Sequence, residues 1–488
     1  MAPQQGSRPV VLALDQGTTN TKAVLVDAEG ALRGRGSASV GLSTPRPGWV
    51  EQDAEQLWRS TVEAVARCRA GSPDQVVGLA LSVQRETVVG WRRSTGQPVG
   101  PAIGWQDSRT AGWCAERFDA PAAAEVRERT GLRVDPMFSA PKMAWLLEHA
   151  GLDPHDLALG TVDAWLVWRL TGAAEHLCEA GNASRTLLYD IRELAWSESL
   201  RALFGVPAAA LPEVRRSDAG FGVTAGVPGL ADGLPVLAVL ADSHAALLAQ
   251  GGDRPGTAKA TFGTGTSVMA PVSAYAASRS PVPTTLAWLM EEPTYAREGN
   301  IVSSGAALAW TAALLGVDVP ALLALAETVT TSGGVTLVPA FSGLGAPHWD
   351  RDRQAALTGL TAGTTSAHVA RAAVDAVAHQ VCDVVDVVRS EGVPVDVLRA
   401  DGGASVSGLV MQTQADLLGC PVQVAAVPEL SALGVAQLAW RALDEPADWA
   451  AHRQGRTVEP ALPAADREVR RDGWRAALAG SPTGASTR

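Results

Sequence analysis

Apolar runs of strand length alternate with polar turns and with stretches of helical period along the whole chain. Short alternating or continuous apolar runs predict strands, whereas apolar positions three and four residues apart predict amphipathic helices. In the first half, a helix is predicted over 53–70, and Gly71 ends it. The strands predicted there are 10–15, 22–27, 33–41, 76–82 and 235–240. Such alternation is typical of an α/β protein.

The second half of the chain repeats this order of elements. Its predicted elements are a strand over 257–262, the turn Gly263-Thr264-Gly265-Thr266-Ser267, a helix over 366–390, a strand over 395–400 and a helix from Ser407. Asp15, Asp242 and Asp401 each stand where a predicted buried strand ends. The repetition favours two similarly built halves that face one cleft. The predicted units are an N-terminal domain over 9–250, a C-terminal domain over 251–443, and a tail, partly helical and then disordered, over 444–488.

The composition is that of a folded, acidic protein. With 47% apolar residues, 19% charged residues and a net charge of −11, it excludes wholesale disorder. It also disfavours nucleic acid or an anionic membrane as a partner, because phosphate-rich surfaces attract basic proteins. Gly316, Asp318 and Pro320 interrupt the apolar stretch 306–326, which predicts two buried helices rather than a membrane span. The five cysteines are odd in number and widely spaced, which indicates reduced thiols in a cytoplasmic protein.

The segment Asp15-Gln16-Gly17-Thr18-Thr19 holds the clearest candidate chemistry. A carboxylate at a strand end can hold Mg²⁺, and the glycine lets backbone N–H groups approach a phosphate closely. The hydroxyls and the ammonium of Lys22 can donate to phosphate oxygens. A polar hairpin between two strands explains the same residues, so this segment alone leaves both interpretations open.

A kinase that acts on an alcohol also needs a carboxylate that takes the hydroxyl proton. Asp242 is a candidate, although an isolated aspartate before a helix is more often its N-cap, and the nearby His244 is more often structural. Arg85 and Glu86 at a strand end offer donors and acceptors to neighbouring hydroxyls, with a surface ion pair as the alternative. Trp105 could cover the carbon face of a sugar, although most tryptophans are core residues.

Several segments, in the same order and spacing from about residue 10 to residue 440, are similar to the FGGY carbohydrate kinases, and among them to the glycerol kinases. These segments are 15–19, 84–87, 105–107, 182–186, 263–266, 339–347, 401–404 and 412–416. The resemblance implies a two-domain actin-like ATPase fold of the ribonuclease H-like type. Each domain would be a mixed five-stranded sheet flanked by helices, with ATP and substrate in the cleft between the domains.

The resemblance also implies roles for particular residues in the phosphorylation of a small polyol by ATP with Mg²⁺. Asp15 would be the carboxylate associated with the metal, and Asp242 would be the catalytic base. The residues implied for the first phosphate loop are Thr18, Thr19, Asn20 and Lys22. Those implied for the nucleotide from the second domain are Thr264, Gly305 and Gly403. Those implied for the acceptor, besides Asp242, are Arg85, Glu86 and Trp105.

Five positions depart from the pattern of the glycerol kinases. Met137, Ser243 and Ser267 stand where these enzymes carry a tyrosine, a glutamine and an aromatic residue, all on the substrate side. A pocket without those groups has room for more than three carbons, so the expected acceptor is glycerol or a longer polyol such as a tetritol or pentitol. A ketose such as xylulose or ribulose is the alternative. On the nucleotide side, Ala309 and Ser407 replace a glutamine and an asparagine, which alters the expected adenine contacts.

Two other classes of protein could share such a cleft. An actin-like scaffold that polymerises with ATP would have no reason to carry Arg85, Glu86, Trp105 and Asp242 together. A catalytically silent sugar sensor would not need Asp15 and Asp242 intact. The sequence therefore favours an enzyme with a small polyol or sugar as its partner, no nucleic acid and no membrane. We expect it in the cytoplasm, as a homodimer or homotetramer.

Overall fold

The computed structural model describes residues 7–151, 153–252, 254–275, 280–449 and 454–480. Of the tail predicted over 444–488, residues 450–453 and 481–488 lie outside the described residues, as does Asp253 near the predicted domain boundary. Helices and strands alternate along the described chain, as the sequence predicts for an α/β protein.

The described elements are numbered in chain order. The strands are β1 (Pro9–Gln16), β2 (Asn20–Val26), β3 (Leu32–Ser39), β4 (Glu51–Gln52), β5 (Gln75–Val83), β6 (Val88–Arg92), β7 (Ala102–Ile103), β8 (Leu157–Thr161), β9 (Leu177–Glu179), β10 (Tyr189–Asp190), β11 (Ala195–Trp196), β12 (Glu213–Arg215), β13 (Val236–Ala241), β14 (Gly256–Phe262), β15 (Thr266–Val272), β16 (Thr284–Leu289), β17 (Pro293–Ile301), β18 (Thr336–Val338), β19 (Ala356–Thr358), β20 (Val395–Asp401), β21 (Val422–Ala425) and β22 (Gln454–Val458). The α-helices are α1 (Ala54–Arg69), α2 (Ala111–Arg117), α3 (Ala120–Thr130), α4 (Ser139–Ala150), α5 (Val162–Leu170), α6 (Ala180–Ser184), α7 (Glu198–Phe204), α8 (Asp242–Ala249), α9 (Gly305–Leu314), α10 (Val319–Glu327), α11 (Ser366–Ser390), α12 (Gly408–Leu418), α13 (Leu430–Arg441) and α14 (Ala464–Gly480). Two 3₁₀ helices cover Ala208–Ala210 and Gly403–Val406.

Two large sheets form the architecture, and they share one topology. The first sheet has the order β13-β5-β1-β2-β3. β13, β5 and β1 run parallel to one another, β2 is antiparallel to β1, and β3 is antiparallel to β2. Within the second sheet, β21-β20-β14-β15-β17 repeats this order and these directions. The predicted arrangement of two similar halves is confirmed. The second sheet has seven strands instead of the expected five, because β16 and β22 each add an antiparallel strand at one edge.

The central strands are continuous apolar runs because both faces of each sheet are covered. On β1, Val10, Leu12 and Leu14 lie in one apolar core with residues of α1 and α5. Val11 and Ala13 lie in another core, on the opposite face, with residues of α8 and α13. A strand buried on both sides has no solvated face that would require polar alternation.

Helices α8 and α13 join the two halves. They approach so closely that a Cβ at Gly434 would lie 1.8 Å from the carbonyl oxygen of Ala245, so glycine is required at this contact. The apolar core around these helices includes Leu240 of the first sheet and Met269 of the second. Residues of both sheets therefore share one apolar core.

The apolar stretch 306–326 forms α9 and α10, which are bent by 86° relative to each other. The predicted break is confirmed. The prediction that both helices are buried is wrong. On α9, Trp310 and Leu314 are 45% and 57% exposed, and on α10 only Leu322 and Ala326 are buried. None of the described helices is by itself long and apolar enough to cross a membrane. Taken together, α9 and α10 reach the necessary length and apolar composition, but they are bent at the break between them.

The chain after α13 adds to the second half. β22 pairs with β21, and α14 packs against α11. On α14, the Arg471 guanidinium donates to Asp383 and Asp386 at 2.6 and 2.9 Å. The Trp474 ring stacks on His379, with ring centroids 5.1 Å apart. The exact domain boundaries stay predictions.

Candidate active site

Two strand-end aspartates lie at one edge of the first sheet. Asp15 is near the end of β1 and Asp242 directly follows β13, while β5 runs between these two parallel strands. Ser82 of β5 donates from its hydroxyl to Asp15 Oδ1 at 3.0 Å. Burial raises the pKa of the Asp15 carboxyl to about 6; Lys22, its partner across β1 and β2, opposes the rise and Asp242 adds to it. The carboxyl ends of parallel strands thus bring together groups that are far apart in sequence.

Asp242 is the first residue of α8 rather than its N-cap. The cap position is Ala241, and the Asp242 carboxylate accepts from the Ser243 N–H at 2.6 Å. Its Oδ1 lies 3.4 Å from Arg85 Nε, and 36% of its side chain is exposed. Burial raises its pKa above the ordinary value, and Arg85 opposes this rise. A carboxylate with a raised pKa that solvent can still reach is suited to accept a proton.

His244, two residues further along α8, differs from Asp242 in its surroundings. Its side chain is completely buried, and neither ring nitrogen has a hydrogen-bond partner among the described residues. Burial holds its pKa well below the ordinary value, so the ring is neutral. The geometry therefore agrees with a structural rather than a catalytic histidine.

The first candidate phosphate loop connects β1 to β2. The Gly17 N–H donates to the Asn20 carbonyl at 3.0 Å, which closes the turn. Thr19 and Asn20 are exposed, and the Asn20 amide donates to the Thr19 hydroxyl at 3.2 Å. Thr18 and Lys22 are half-buried beside them. The loop therefore presents hydroxyl, amide and ammonium donors at the same sheet edge as Asp15.

Gln84, to which the sequence analysis assigned no role, holds this loop in place. The Gln84 amide donates to the side-chain oxygens of Gln16 and Gln52, both at 3.0 Å. The Gln52 amide in turn donates to the Thr18 carbonyl at 2.7 Å. Because Gln84 precedes Arg85 directly, the phosphate loop and the acceptor loop share one buried hydrogen-bond network.

Trp105 also connects the acceptor side to the phosphate side. Its indole N–H donates to the Thr18 hydroxyl at 3.0 Å, and its backbone N–H donates to the Thr87 hydroxyl at 3.2 Å. The side chain is not a core residue, since Trp105 is 37% exposed. Its position supports the predicted contact with an acceptor, which stays a prediction.

Arg85 and Glu86 are buried, 9% and 4% exposed, so they do not form the surface ion pair considered from the sequence. Arg85 donates instead to Glu298 of β17, and Glu86 accepts from Arg185 Nε at 2.7 Å. Glu86 has a φ of 61°, a conformation that is rare for a residue other than glycine. The ion pair with Arg185 helps to hold this strained loop residue in place.

The three candidate substrate-side replacements are half-buried. Met137 packs against the apolar core that includes Phe138, and its carbonyl accepts from Lys142 Nζ at 2.6 Å. The Ser267 hydroxyl is buried and has no hydrogen-bond partner among the described residues. The carbonyl of Ser243 lies 3.5 Å from the ammonium of the buried Lys259.

Asn300 of β17 pairs with Ser267 of β15 across the second sheet. Its side-chain amide donates to Glu298 at 3.3 Å. Both Asn300 and Ser267 are half-buried, and Asn300 was not singled out from the sequence. Two cross-strand polar side chains, one with an unpartnered hydroxyl, can supply hydrogen bonds to a ligand with several hydroxyls.

The second candidate phosphate turn is tied to the start of α9. The Thr264 side chain is exposed, while its carbonyl accepts from the N–H groups of Ser304 and Ala306, both at 3.0 Å. A Cβ at Gly305 would lie 2.5 Å from the Gly263 carbonyl oxygen. Glycine is therefore required where the helix meets the turn.

The remaining nucleotide-side residues lie on α9 and before α12. Ala309 and Gly403 are exposed. Ser407 is the N-cap of α12, and its hydroxyl accepts from the Val410 N–H at 3.3 Å. That hydroxyl is therefore engaged by the helix. The adenine contacts of these residues stay predictions.

Several residues that complete the site received no role from the sequence. The scarcity of lysine, with three in the whole chain, draws attention to Lys142 and Lys259 but does not assign them a role. Arg185 belongs to the segment 182–186 that carries the family resemblance, but no role was assigned to it. Nothing in the local pattern around Glu298 or Ser82 distinguishes them from ordinary strand residues.

A magnesium site at Asp15 fits the residues that are present. Groups of three or more histidine, cysteine, aspartate or glutamate side chains able to hold a metal do not occur among the described residues. Mg²⁺ does not need such a group, because it keeps several waters and binds proteins through one or two carboxylates. Asp15 supplies a half-buried carboxylate beside donors suited to phosphate. Its raised pKa is a cost that a bound cation would offset.

Comparison with known proteins places this site in a family context. The profile of the FGGY family of carbohydrate kinases matches the chain in two parts, the N-terminal domain over residues 10–249 and the C-terminal domain over residues 258–443. A glycerol kinase of Bordetella parapertussis is 42% identical over 493 residues, which cover 96% of this chain and 96% of that protein. The crystal structure of Plasmodium falciparum glycerol kinase with ADP matches with a TM-score of 0.92 and 27% identity, over 99% of this chain and 100% of that chain. A xylulose kinase of Rhodospirillum rubrum matches with a TM-score of 0.85 and 26% identity, over 96% of this chain and 98% of that chain.

Proposed function

Because the chain belongs to the FGGY family of carbohydrate kinases, we propose that it transfers the γ-phosphoryl group of ATP to a primary hydroxyl of a small polyol. The family and the enzyme class predicted from the sequence are confirmed; the substrate, Mg²⁺ and residue roles belong to the proposal. The observation that supports it most directly is the Asp242 carboxylate, 3.4 Å from Arg85 Nε and at the same sheet edge as Asp15. A base, an acceptor-binding cation and a metal-binding carboxylate at one edge are what in-line transfer needs.

In the proposed reaction, Arg85, Glu86 and Trp105 hold the acceptor, and Asp242 takes the proton of its attacking hydroxyl. The first loop and Thr264 donate to the phosphates from opposite halves of the molecule. Mg²⁺ at Asp15 would neutralise phosphate charge when bound. Phosphoryl transfer is largely a matter of positioning and charge neutralisation, so closure of the two halves on ATP and acceptor would supply most of the rate.

The acceptor we propose is glycerol or a longer polyol, such as a tetritol or pentitol. The buried Ser267 hydroxyl, which has no partner in the described part of the chain, supports the longer acceptor, because a buried polar group without a partner costs free energy that a ligand hydroxyl would recover. Met137 and Ser243 leave further room on the same side. A ketose is the second candidate, favoured by the likeness to the xylulose kinase of Rhodospirillum rubrum.

A substrate panel tests the proposal. ADP release in a coupled assay would be measured with glycerol, erythritol, threitol, xylitol, arabinitol, xylulose and ribulose at fixed MgATP. We expect the highest kcat/KM with a polyol of four or five carbons. A clear preference for glycerol would contradict the enlarged pocket while leaving the kinase intact, and a preference for xylulose or ribulose would support the ketose alternative.

The Asp242→Asn variant tests the chemistry. Removal of the base is expected to lower kcat by about 10²–10⁴-fold while the KM for ATP stays within about threefold. Turnover near the wild-type rate would show that Asp242 is not the base. Absence of ADP release from the wild type with every acceptor would instead favour a silent sensor, and ATP-dependent sedimentation would favour an actin-like scaffold.

The proposal also includes the cellular compartment and the oligomeric state of the protein. All five cysteines are free and buried, which suits a cytoplasmic kinase that draws on cellular ATP. We propose a homodimer or homotetramer and no nucleic-acid or membrane partner. Light scattering coupled to size-exclusion chromatography would measure the assembly, and a single-chain mass would contradict it.

A further inference from the structure

Glu298 is a buried carboxylate of the second half that contacts two arginines of the first half. Its side chain is completely buried on β17. One oxygen accepts from Arg85 Nη1, and the other lies 3.0 Å from Arg185 Nη1. Burial favours the protonated form of Glu298, yet Arg185 and Arg85 hold its pKa well below the usual range. The side chain is therefore a fixed negative charge between two fixed positive charges.

These contacts belong to an alternating row of charges. In spatial order the row, here named the charge row, consists of Asp242, Arg85, Glu298, Arg185 and Glu86. Three of its members are the candidate base Asp242 and two of the candidate acceptor residues, Arg85 and Glu86. The other two, Glu298 and Arg185, lie behind them. Because opposite charges alternate, each member restrains the side-chain position of its neighbours.

Arg85 is shared unequally between its two carboxylates. It makes a hydrogen bond to Glu298 through Nη1, whereas Asp242 Oδ1 lies 3.4 Å from Nε, beyond ordinary hydrogen-bond distance. A guanidinium can otherwise form a bidentate pair with one carboxylate, through two parallel N–H···O hydrogen bonds. The hydrogen bond to Glu298 occupies Nη1, one of the N–H groups that Arg85 could use in a bidentate pair with Asp242. Asp242 therefore keeps an oxygen free for another partner.

We propose that Glu298 is a positioning residue: it keeps Arg85 from forming a bidentate pair with Asp242, so that Asp242 remains available to the acceptor hydroxyl. This inference rests on the proposed function. The other charged groups that act on Asp242 are Glu86, Lys259 and Asp15, which the substitution of Glu298 leaves in place. Without the Glu298 charge, Arg85 would turn to Asp242 and occupy the base and the acceptor site together.

Glu298→Gln tests this role, because it keeps the shape of the side chain and removes its charge. From the rule that a displacement of about 1 Å costs about 10²-fold, we expect kcat/KM for the acceptor to fall by about 30- to 100-fold. The KM for ATP should stay within about threefold, because the side-chain partners of Glu298 are Arg85, Arg185 and Asn300, and none of these belongs to a candidate phosphate loop. A merely structural role would raise both KM values or lower the melting temperature without this split.

Two further variants complete the experiment. Glu298→Asp keeps the charge and should recover most of the loss; if Glu298→Gln does not fold, Glu298→Asp alone should still lower kcat/KM for the acceptor by about three- to tenfold with ATP unaffected. Glu391→Gln is the matched control. Glu391 forms an ion pair at 2.8 Å with Arg297, which precedes Glu298 on β17. Because successive side chains of a strand alternate, Arg297 points to the other face of the sheet.

The outcomes separate the two proposals. Acceptor kcat/KM within threefold of wild type in folded Glu298→Gln, or an equal loss in Glu391→Gln, would overturn the positioning role while the wild type remains an active kinase. A loss in Glu298→Gln that Glu298→Asp does not recover at all would also overturn it, because the charge would then not be the cause. A wild type inactive with every acceptor would be a failure of the proposed function itself.

Discussion

Gly305 is the point at which the second phosphate turn meets α9, and its replacement by alanine gives a sharp prediction. The added Cβ would lie 2.5 Å from the Gly263 carbonyl oxygen, whereas ordinary contact begins at 3.4 Å. The turn would therefore have to retreat by about 0.9 Å, because the obstacle is backbone rather than the end of a flexible side chain.

The size of the effect follows from the bonds that this retreat would break. The N–H of Gly305 donates to the Gly263 carbonyl at 3.0 Å, and those of Ser304 and Ala306 donate to the Thr264 carbonyl at 3.0 Å. Lengthened by about 0.9 Å, these bonds would exceed hydrogen-bond distance. At about 1 kcal/mol for each bond, of which one to three are lost, the cost is about 1–3 kcal/mol. We expect kcat/KM for ATP to fall by about 5- to 150-fold.

Coupled ADP release at varied ATP and at varied acceptor would measure the effect. The loss should appear in kcat/KM for ATP, while the acceptor KM changes little. Gly112→Ala is the control, because a Cβ there meets no atom within 4 Å. Because the broken bonds would also lower the free energy of unfolding by about 1–3 kcal/mol, both variants would be assayed well below their measured melting temperatures. A Gly305→Ala enzyme within twofold of wild type would refute the claim that this turn is rigid.

Three further predictions concern other parts of the molecule. Trp105→Phe keeps an aromatic side chain, although a smaller one, and loses the indole hydrogen bond to Thr18, which contributes about 0.5–1.5 kcal/mol; from the bond alone, kcat/KM for the acceptor should fall by roughly 2- to 12-fold, and an unchanged value would show that the bond does not position the ring. Because the pKa of Asp242 is raised above 3.8, the folded enzyme holds that proton at a pH where an ordinary aspartate is ionised, and activity should fall with decreasing pH through a value above 3.8; a profile flat to pH 4 would contradict this. Arg471→Ala leaves two aspartates of α11 without their buried partner and should lower the free energy of unfolding in urea by about 3–5 kcal/mol. The half-exposed Arg475→Ala should cost at most about 1 kcal/mol, and equal losses would contradict the assignment.

Local patterns predicted the parts of the fold that depend on neighbouring residues. The apolar run of β1 is buried on both faces, and such a run can be recognised without knowing its partners. Glycine near hydroxyls, as in the turn before Ser267, marks a place where backbone comes close to another group, and Gly305 lies against that turn. The added strands β16 and β22 were not predicted, since edge strands carry weak patterns.

The candidate site divides in the same way. Asp15 and Asp242 could be named from the sequence because each stands where a strand ends, and parallel strands bring such ends to one edge. Whether Asp242 is a cap was left open locally, and the structure decided it by placing Ala241 at the cap position. The exposure of Trp105 was equally open, because a tryptophan fits a core or a cleft.

The sequence by itself determined the family, the two-fold repetition of the sheets and the positions of the phosphate-type turns, because these are recorded in local periodicity and in short motifs. Only the tertiary structure decided which charges neutralise one another. Arg85 and Glu298 are 213 residues apart, and they meet because β17 of one half is folded against the loop after β5 of the other. A buried charge takes whatever partner the packing of distant elements brings within reach, and no local pattern encodes that choice.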